Sequence, residues 1–126
     1  MTFQTYLVED SPVIRDNLVD FLEDVADAKV VASSSTEAEA VAWLHDNPDR
    51  WDLALVDLFL EQGNGLAVVK ACRHRRGAQK VVVLSNYATA EMRGRAEKLG
   101  ADAFFDKSSQ LEELVAYCEE LSMQPR

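Results

Sequence analysis

Five polar side chains stand at or just beyond the ends of apolar runs in this chain. Glu9 and Asp10 follow Phe3–Val8, Asp57 follows Leu53–Val56, Ser85 follows Lys80–Leu84, and Lys107 comes soon after Ala103–Phe105. Carboxylates held close together repel one another and favour a hard divalent cation. Mg²⁺ suits such a set, because it takes a few carboxylates and keeps several waters. A carboxylate can also attack phosphorus and hold an acyl phosphate. Asp57, in the middle of the set, is the candidate nucleophile. A cation and the Lys107 ammonium would offset charge on the transferred oxygens, and the Ser85 hydroxyl could donate to one of them.

These residues can meet only if the apolar runs lie side by side. Apolar and helical segments alternate five times. Expected strands are Phe3–Val8, Lys29–Ala32, Leu53–Val56, Lys80–Leu84 and Ala103–Phe105. The first helix opens at Ser11-Pro12, since proline fits a first turn. Its apolar residues Ile14, Leu18, Phe21, Leu22 and Val25 recur at helical spacing and read as a buried stripe. The second helix, capped by one of the hydroxyls in 33–36, runs to about Asn47 with Val41 and Leu44 inward and Trp43 partly so; Pro48 stops it. Helices over about Leu66–Arg75, Ala88–Leu99 and Gln110–Ser122 complete the series. The fourth has a thin apolar face and contains Gly94, and Gly100 ends it as a left-handed cap. The last carries Leu111, Leu114, Val115, Cys118 and Leu121 on one face. This alternation predicts an α/β fold with a parallel sheet covered on both faces. Ligands in such sheets bind at the carboxyl edge of the strands.

With 126 residues the chain has the size of one domain, and 48% hydrophobic with 28% charged residues is ordinary for a globular protein. The net charge of −9 argues against nucleic acid as a direct ligand. No apolar run is long enough to span a membrane and no leader pattern precedes the first strand, so a cytoplasmic location is expected. Cys72 and Cys118 lack the spacing of a redox or metal motif and read as buried thiols.

The ordered set of Glu9-Asp10, Asp57 with Gly65 eight positions on, Ser85 after Val81-Val-Val-Leu84, and Lys107 after Gly100-Ala-Asp-Ala-Phe104-Phe-Asp resembles the receiver domain of two-component response regulators over essentially the whole chain, 1–126. The resemblance implies a flavodoxin-like, doubly wound five-stranded parallel sheet of order 2-1-3-4-5 with five helices. It implies a phospho-acceptor switch rather than an enzyme: Mg²⁺-dependent transfer to Asp57 from a histidine kinase or a histidine phosphotransfer protein. It places the metal on Asp10, Asp57 and the backbone carbonyl of Phe59, with Glu9 acting through water. Ser85 and the aromatic Phe104 would form the switch that changes the surface of helix 4, strand 5 and helix 5 toward a downstream protein target, or toward a second copy in a phosphorylation-dependent dimer. Because the chain stops after the fifth helix, a free-standing single-domain regulator is expected. The alternative is the receiver half of a larger regulator with a DNA-binding or enzymatic output domain.

Some positions depart from the family pattern. Asn86 stands where a small residue is usual, Ser108 where proline is frequent, and Glu61 replaces a frequent proline. Phe59 and Tyr87 flank the site at positions that tune loss of the phosphoryl group, and two aromatics there would shield it from water. Plainer readings exist for each residue. A lone acid at a strand end is usually a solvated cap, Ser85 could only cap a helix, and Phe104 reads equally as core. A phosphatase of the haloacid dehalogenase type would need an acid two residues beyond Asp57, where Phe59 stands. A degenerate interaction module would require a lost acid or lysine, and none is lost. The cluster Arg73-His74-Arg75-Arg76 reads as a solvated helix end favoured by the helix dipole. His45 and His74 fall on exposed positions.

Overall fold

In the computed structural model, which describes residues 2–124, five strands alternate with five helices. They are β1 (Phe3–Val8), α1 (Pro12–Val25), β2 (Ala28–Ser34), α2 (Glu37–Asp46), β3 (Leu53–Asp57), α3 (Gly65–Ala71), β4 (Lys80–Ser85), α4 (Ala90–Lys98), β5 (Ala103–Asp106) and α5 (Leu111–Met123). The strands form one parallel sheet in the order β2-β1-β3-β4-β5, the flavodoxin-like arrangement expected from the sequence. No helix among the described residues is long and apolar enough to cross a membrane.

Alternation along the central strands divides the core in two. Ala54, Val56 and Leu58 point to the side of α2, α3 and α4, together with Val81, Val83 and Phe104. Leu53 and Leu55 point to the side of α1 and α5, together with Val82, Leu84 and Leu114. Every residue of β3 is buried, as the unbroken apolar run required of a strand covered on both faces. Register places Asp57 opposite Leu84, Ser85 opposite Asp106, and the chain then enters Lys107, whose amide bonds to the Ser85 carbonyl at 3.0 Å. The carboxyl ends of β1, β3, β4 and β5 therefore share one edge.

Helix starts follow local chemistry. Ser11, Thr36, Asn64 and Thr89 each accept an amide of the first turn through the side chain, so Thr36 is the residue of the hydroxyl cluster that caps α2. Gly100 has φ +108, the left-handed geometry expected of it. Trp43 is half-buried and stacks on Tyr6 with ring centroids 4.0 Å apart.

Some expectations need correction. Ile14 and Val25 of α1 are exposed, so its inward stripe narrows to Leu18 and Leu22, flanked by Phe21, and Val41 of α2 is exposed rather than inward. Ile14, in the first turn, faces an open groove that it lines together with Leu18, Phe21, Leu84 and Leu111. α3 ends at Ala71 rather than Arg75, because the chain tightens into turns with Cys72, Arg73 and Arg75 amides bonding three residues back. That turn draws Arg75 inward. Its guanidinium bonds the carbonyls of Cys72, Gln79 and Gly100 and pairs with Asp102 at 2.7 Å, leaving the side chain only 12% exposed. The solvated-end reading therefore fails for Arg75, although Arg73, His74 and Arg76 are exposed. β2 extends two residues beyond Ala32, and α4 begins at Ala90, two residues later than expected.

Candidate functional site

At the carboxyl edge of the sheet, Glu9, Asp10 and Asp57 each present a carboxylate oxygen within 4.8 Å of the others. Glu9 is 1% exposed and Asp57 is 9% exposed, while Asp10 is half-buried. Three acids at such spacing are held by specific partners. Lys107 Nζ bonds Glu9 Oε1 and lies 3.1 Å from Asp57 Oδ2. The backbone amide of Ser11 donates to Glu9, that of Phe59 to Asp57 Oδ1 at 3.4 Å, and that of Glu61 to Asp10 Oδ2 at 2.7 Å.

Electrostatics follow from this packing. Burial pushes the Glu9 carboxyl above its ordinary range and the Asp57 charge adds to the shift, while the bond to Lys107 pulls against it. Burial works against the charge on Lys107, but the bond to Glu9 and the field of Asp57 outweigh it, so the ammonium titrates above the ordinary lysine range. The site thus holds one permanent cation among three acids and an excess of negative charge. Its donors are all carboxylate oxygens, which fits a hard divalent cation such as Mg²⁺.

The loop after β3 is folded tightly over the site. Gly65 follows from that closeness rather than from its φ: a Cβ there would sit 2.1 Å from the Asp57 carbonyl oxygen and 2.7 Å from Leu58 Cα. The Gly65 amide bonds the Leu58 carbonyl at 2.9 Å. Glu37, the first residue of α2, accepts the Asn64 amide at 2.8 Å and fastens the outer end of the same loop.

The other expected residues fall around this centre. Ser85 is fully buried, and its Oγ accepts the Tyr87 amide at 3.0 Å, which leaves the hydroxyl proton available to donate elsewhere. Asn86 is exposed on the loop after β4. Phe59 and Tyr87, from the loops after β3 and β4, meet edge to face at 4.8 Å although each is about half exposed. Phe104 is buried and belongs to the core on the α4 side. The Lys107–Ser108 peptide is trans, as the absence of proline predicts.

Two features escaped the sequence. One is an open groove of about 460 Å³ between α1 and the start of α5, lined by Ile14, Leu18, Phe21, Leu84 and Leu111, with Asn86 and the acid-paired Lys107 also in its lining. Ile14 is exposed and gives this groove an apolar wall open to solvent. The other is Arg93, whose guanidinium lies over the Phe104 ring, 5.1 Å from its centroid. No spacing rule links positions so far apart in the chain, and only the β4–α4–β5 crossover brings them together.

Residues 6–119 match the family described as the response regulator receiver domain. The chain is 32% identical over 111 residues to the transcriptional regulatory protein CiaR of Streptococcus pneumoniae, covering 86% of this chain and 46% of that protein. It is 33% identical over 109 residues to the photosynthetic apparatus regulatory protein RegA of Cereibacter sphaeroides, covering 86% and 57%. It thus spans about half the length of these curated relatives. A two-component response regulator of the LuxR family from Aurantimonas sp. SI85-9A1 superposes with a TM-score of 0.84 at 25% identity, over 97% of this chain and 86% of that one.

Proposed function

The chain belongs to the response regulator receiver domain family, and on that premise we propose that Asp57 accepts a phosphoryl group from a phosphohistidine donor and that the protein serves as a signalling switch. The observation that carries this reading is the buried Asp57 carboxylate, placed between the acids Glu9 and Asp10 and the ammonium of Lys107.

In the proposed transfer, an Asp57 oxygen forms the new bond to phosphorus. The bond from phosphorus to the donor imidazole nitrogen breaks, and its electron pair stays with that nitrogen. Lys107, 3.1 Å from Asp57 Oδ2, offsets charge on the arriving oxygens. The Ser85 hydroxyl donates to one of them, and the Asn86 amide would contact the group or crowd its donor. Glu9, Asp10, Asp57 and the backbone carbonyl of Phe59 would hold Mg²⁺. Bound there, the ion supplies charge neutralisation across the phosphoryl oxygens. Phe59 and Tyr87 close over the approach and slow attack by water. Ser85 and Phe104 are the residues through which the modification would reach α4, β5 and α5, and so an unidentified downstream protein or a second copy of the chain.

A protein donor, either a histidine kinase or a histidine phosphotransfer protein, suits the apolar groove that Lys107 also lines, since a small phosphodonor needs no such surface. Two architectures carry the same switch. The chain could act as a free-standing regulator in the cytoplasm. Alternatively it is the receiver part of a longer regulator with a DNA-binding or enzymatic output, a reading favoured by the greater length of CiaR and RegA. The mass of the native protein, compared with 14.1 kDa, separates them. Transfer is tested by mixing the protein with a phosphohistidine-bearing kinase core and following label from one chain to the other. Movement of label that Asp57→Asn abolishes supports the reading, and transfer to the variant at the wild-type rate overturns it.

A further inference from the structure

Arg93 stands in the first turn of α4, on the side that faces β5. Its Nε donates to the Ala88 carbonyl at 3.3 Å, its Nη1 to the Phe104 carbonyl at 2.8 Å and its Nη2 to Gln110 Oε1 at 2.7 Å. Its Cζ lies 5.1 Å from the centroid of the Phe104 ring. Gln110 Oε1 also accepts the Asp106 amide at 2.9 Å. That shared bond explains why Gln110 occupies the N-cap of α5 without capping it through its side chain. One guanidinium thus ties the entrance of α4, the middle of β5 and the start of α5 to each other. α4 has few other holds, since Ala96 is its one fully buried residue.

The grip on Phe104 is double. A ring attracts a cation only while its face is turned to it, whereas the residue's own carbonyl stays in place whichever way the ring points. Phe104 has no hydroxyl through which a hydrogen bond could fix the ring. The orientation of this side chain is therefore coupled to a charge rather than to a polar atom of its own.

Resting on the reading of Asp57 as the acceptor, we infer that Arg93 is a positioning residue of the switch: it senses the Phe104 ring through its guanidinium and passes the ring's orientation to α4 and α5. Turning the ring away removes the π contact and leaves the guanidinium on its oxygen acceptors alone. α4 is then held less firmly against β5 and α5. Arginine is specific to this role, because its planar fork can lie on a ring and still reach two acceptors, which a lysine ammonium cannot do.

The test uses beryllium fluoride with Mg²⁺ as the phosphoryl mimic, with fluorine NMR reading the bound fraction. Arg93→Met, Phe104→Leu and the double variant form a cycle with wild type. Arg93→Met is expected to change the concentration for half-occupancy by about threefold or more in the wild-type background, and to have a clearly smaller effect once Phe104 is leucine, where only the bonds to oxygen acceptors remain to be lost. Thermal melts establish that each variant is folded. If Arg93→Met is not, Arg93→Lys, which keeps the charge but loses the fork, takes its place in the cycle and is expected to show the same non-additivity. An unchanged affinity, or an equal change in both backgrounds, overturns the inference while leaving the receiver reading intact. Failure of wild type to bind the mimic at all overturns both.

Discussion

Lys107 Nζ lies 3.1 Å from Asp57 Oδ2 while also bonding the fully buried Glu9, so a single ammonium bridges the buried acid and the proposed phosphoryl acceptor. Removing it would leave two carboxylates facing each other with no counter-charge. Lys107→Met is expected to destabilise the metal-free protein by about 3 kcal/mol, the scale for breaking a buried ion pair. Saturating Mg²⁺ should restore part of that loss, because an ion that binds only the folded chain stabilises it. Urea melts with and without Mg²⁺ check this, and a variant as stable as wild type in the absence of metal would contradict it.

The edge-to-face contact between Phe59 and Tyr87 holds two exposed rings together across the mouth of the site. If they exclude water from an acyl phosphate on Asp57, changing either to alanine should shorten the phosphoryl half-life by about tenfold. The double variant should add little, since each ring is held by the other. Decay of the isolated phosphoprotein followed by intact mass measures this. Equal half-lives would show that the rings serve another purpose.

Arg75 is expected to matter for stability and not for transfer. It ties the end of α3 to the turn before β5 through the carbonyls of Cys72, Gln79 and Gly100 and the carboxylate of Asp102. Arg75→Ala removes all four bonds, although the Cys72 carbonyl keeps the residue 75 amide and Asp102 keeps the Val81 amide, and should cost about 2 kcal/mol in urea melts, with the rate of phosphorylation by acetyl phosphate unchanged in the folded fraction. A loss well under about 1 kcal/mol would return Arg75 to the class of surface charges.

Alkaline pH should loosen the fold. Burial lifts the Cys72 thiol from 9.0 to about 11, the Cys118 thiol from 9.0 to about 12 and the Tyr6 hydroxyl from 10.0 to about 12. Above about pH 9 the unfolded chain releases protons that the folded chain retains. The stabilisation is therefore complete below that pH and is lost as the pH rises through the folded values. Each such group adds up to about 1.4 kcal/mol per pH unit to the slope. Stability measured from about pH 8 to about pH 11 should fall. Cys118→Ala should flatten the fall, and a variant with the wild-type slope would exclude that thiol as its source.

The strand–helix alternation and the carboxyl-edge cluster were legible because each depends on local pattern, whereas the strand order came from the resemblance to receiver domains. β3 and β4 are continuous apolar runs, and right-handed crossovers send their ends to one edge, carrying Asp57 and Ser85 with them. Helix stops were less legible. α3 ends early in turns that bring Arg75 to acceptors on the segment from Gln79 to Asp102, tertiary contacts that no window around residues 66–75 contains. Ile14 and Val25 obey helical periodicity yet are exposed, Ile14 because it faces an open groove rather than close-packed neighbours. Arg93 was invisible for a similar reason: its partners Phe104 and Gln110 lie a strand and a turn away, and an arginine on a polar helix looks like any solvated one.

The most direct measurement is intact mass after incubation with Mg²⁺ and acetyl phosphate, with Asp57→Ala treated in parallel. Gain of one phosphoryl group by the wild type and none by the variant is the result expected of an acceptor at Asp57. No gain by wild type while Mg²⁺ still binds, or an equal gain by both proteins, would contradict it.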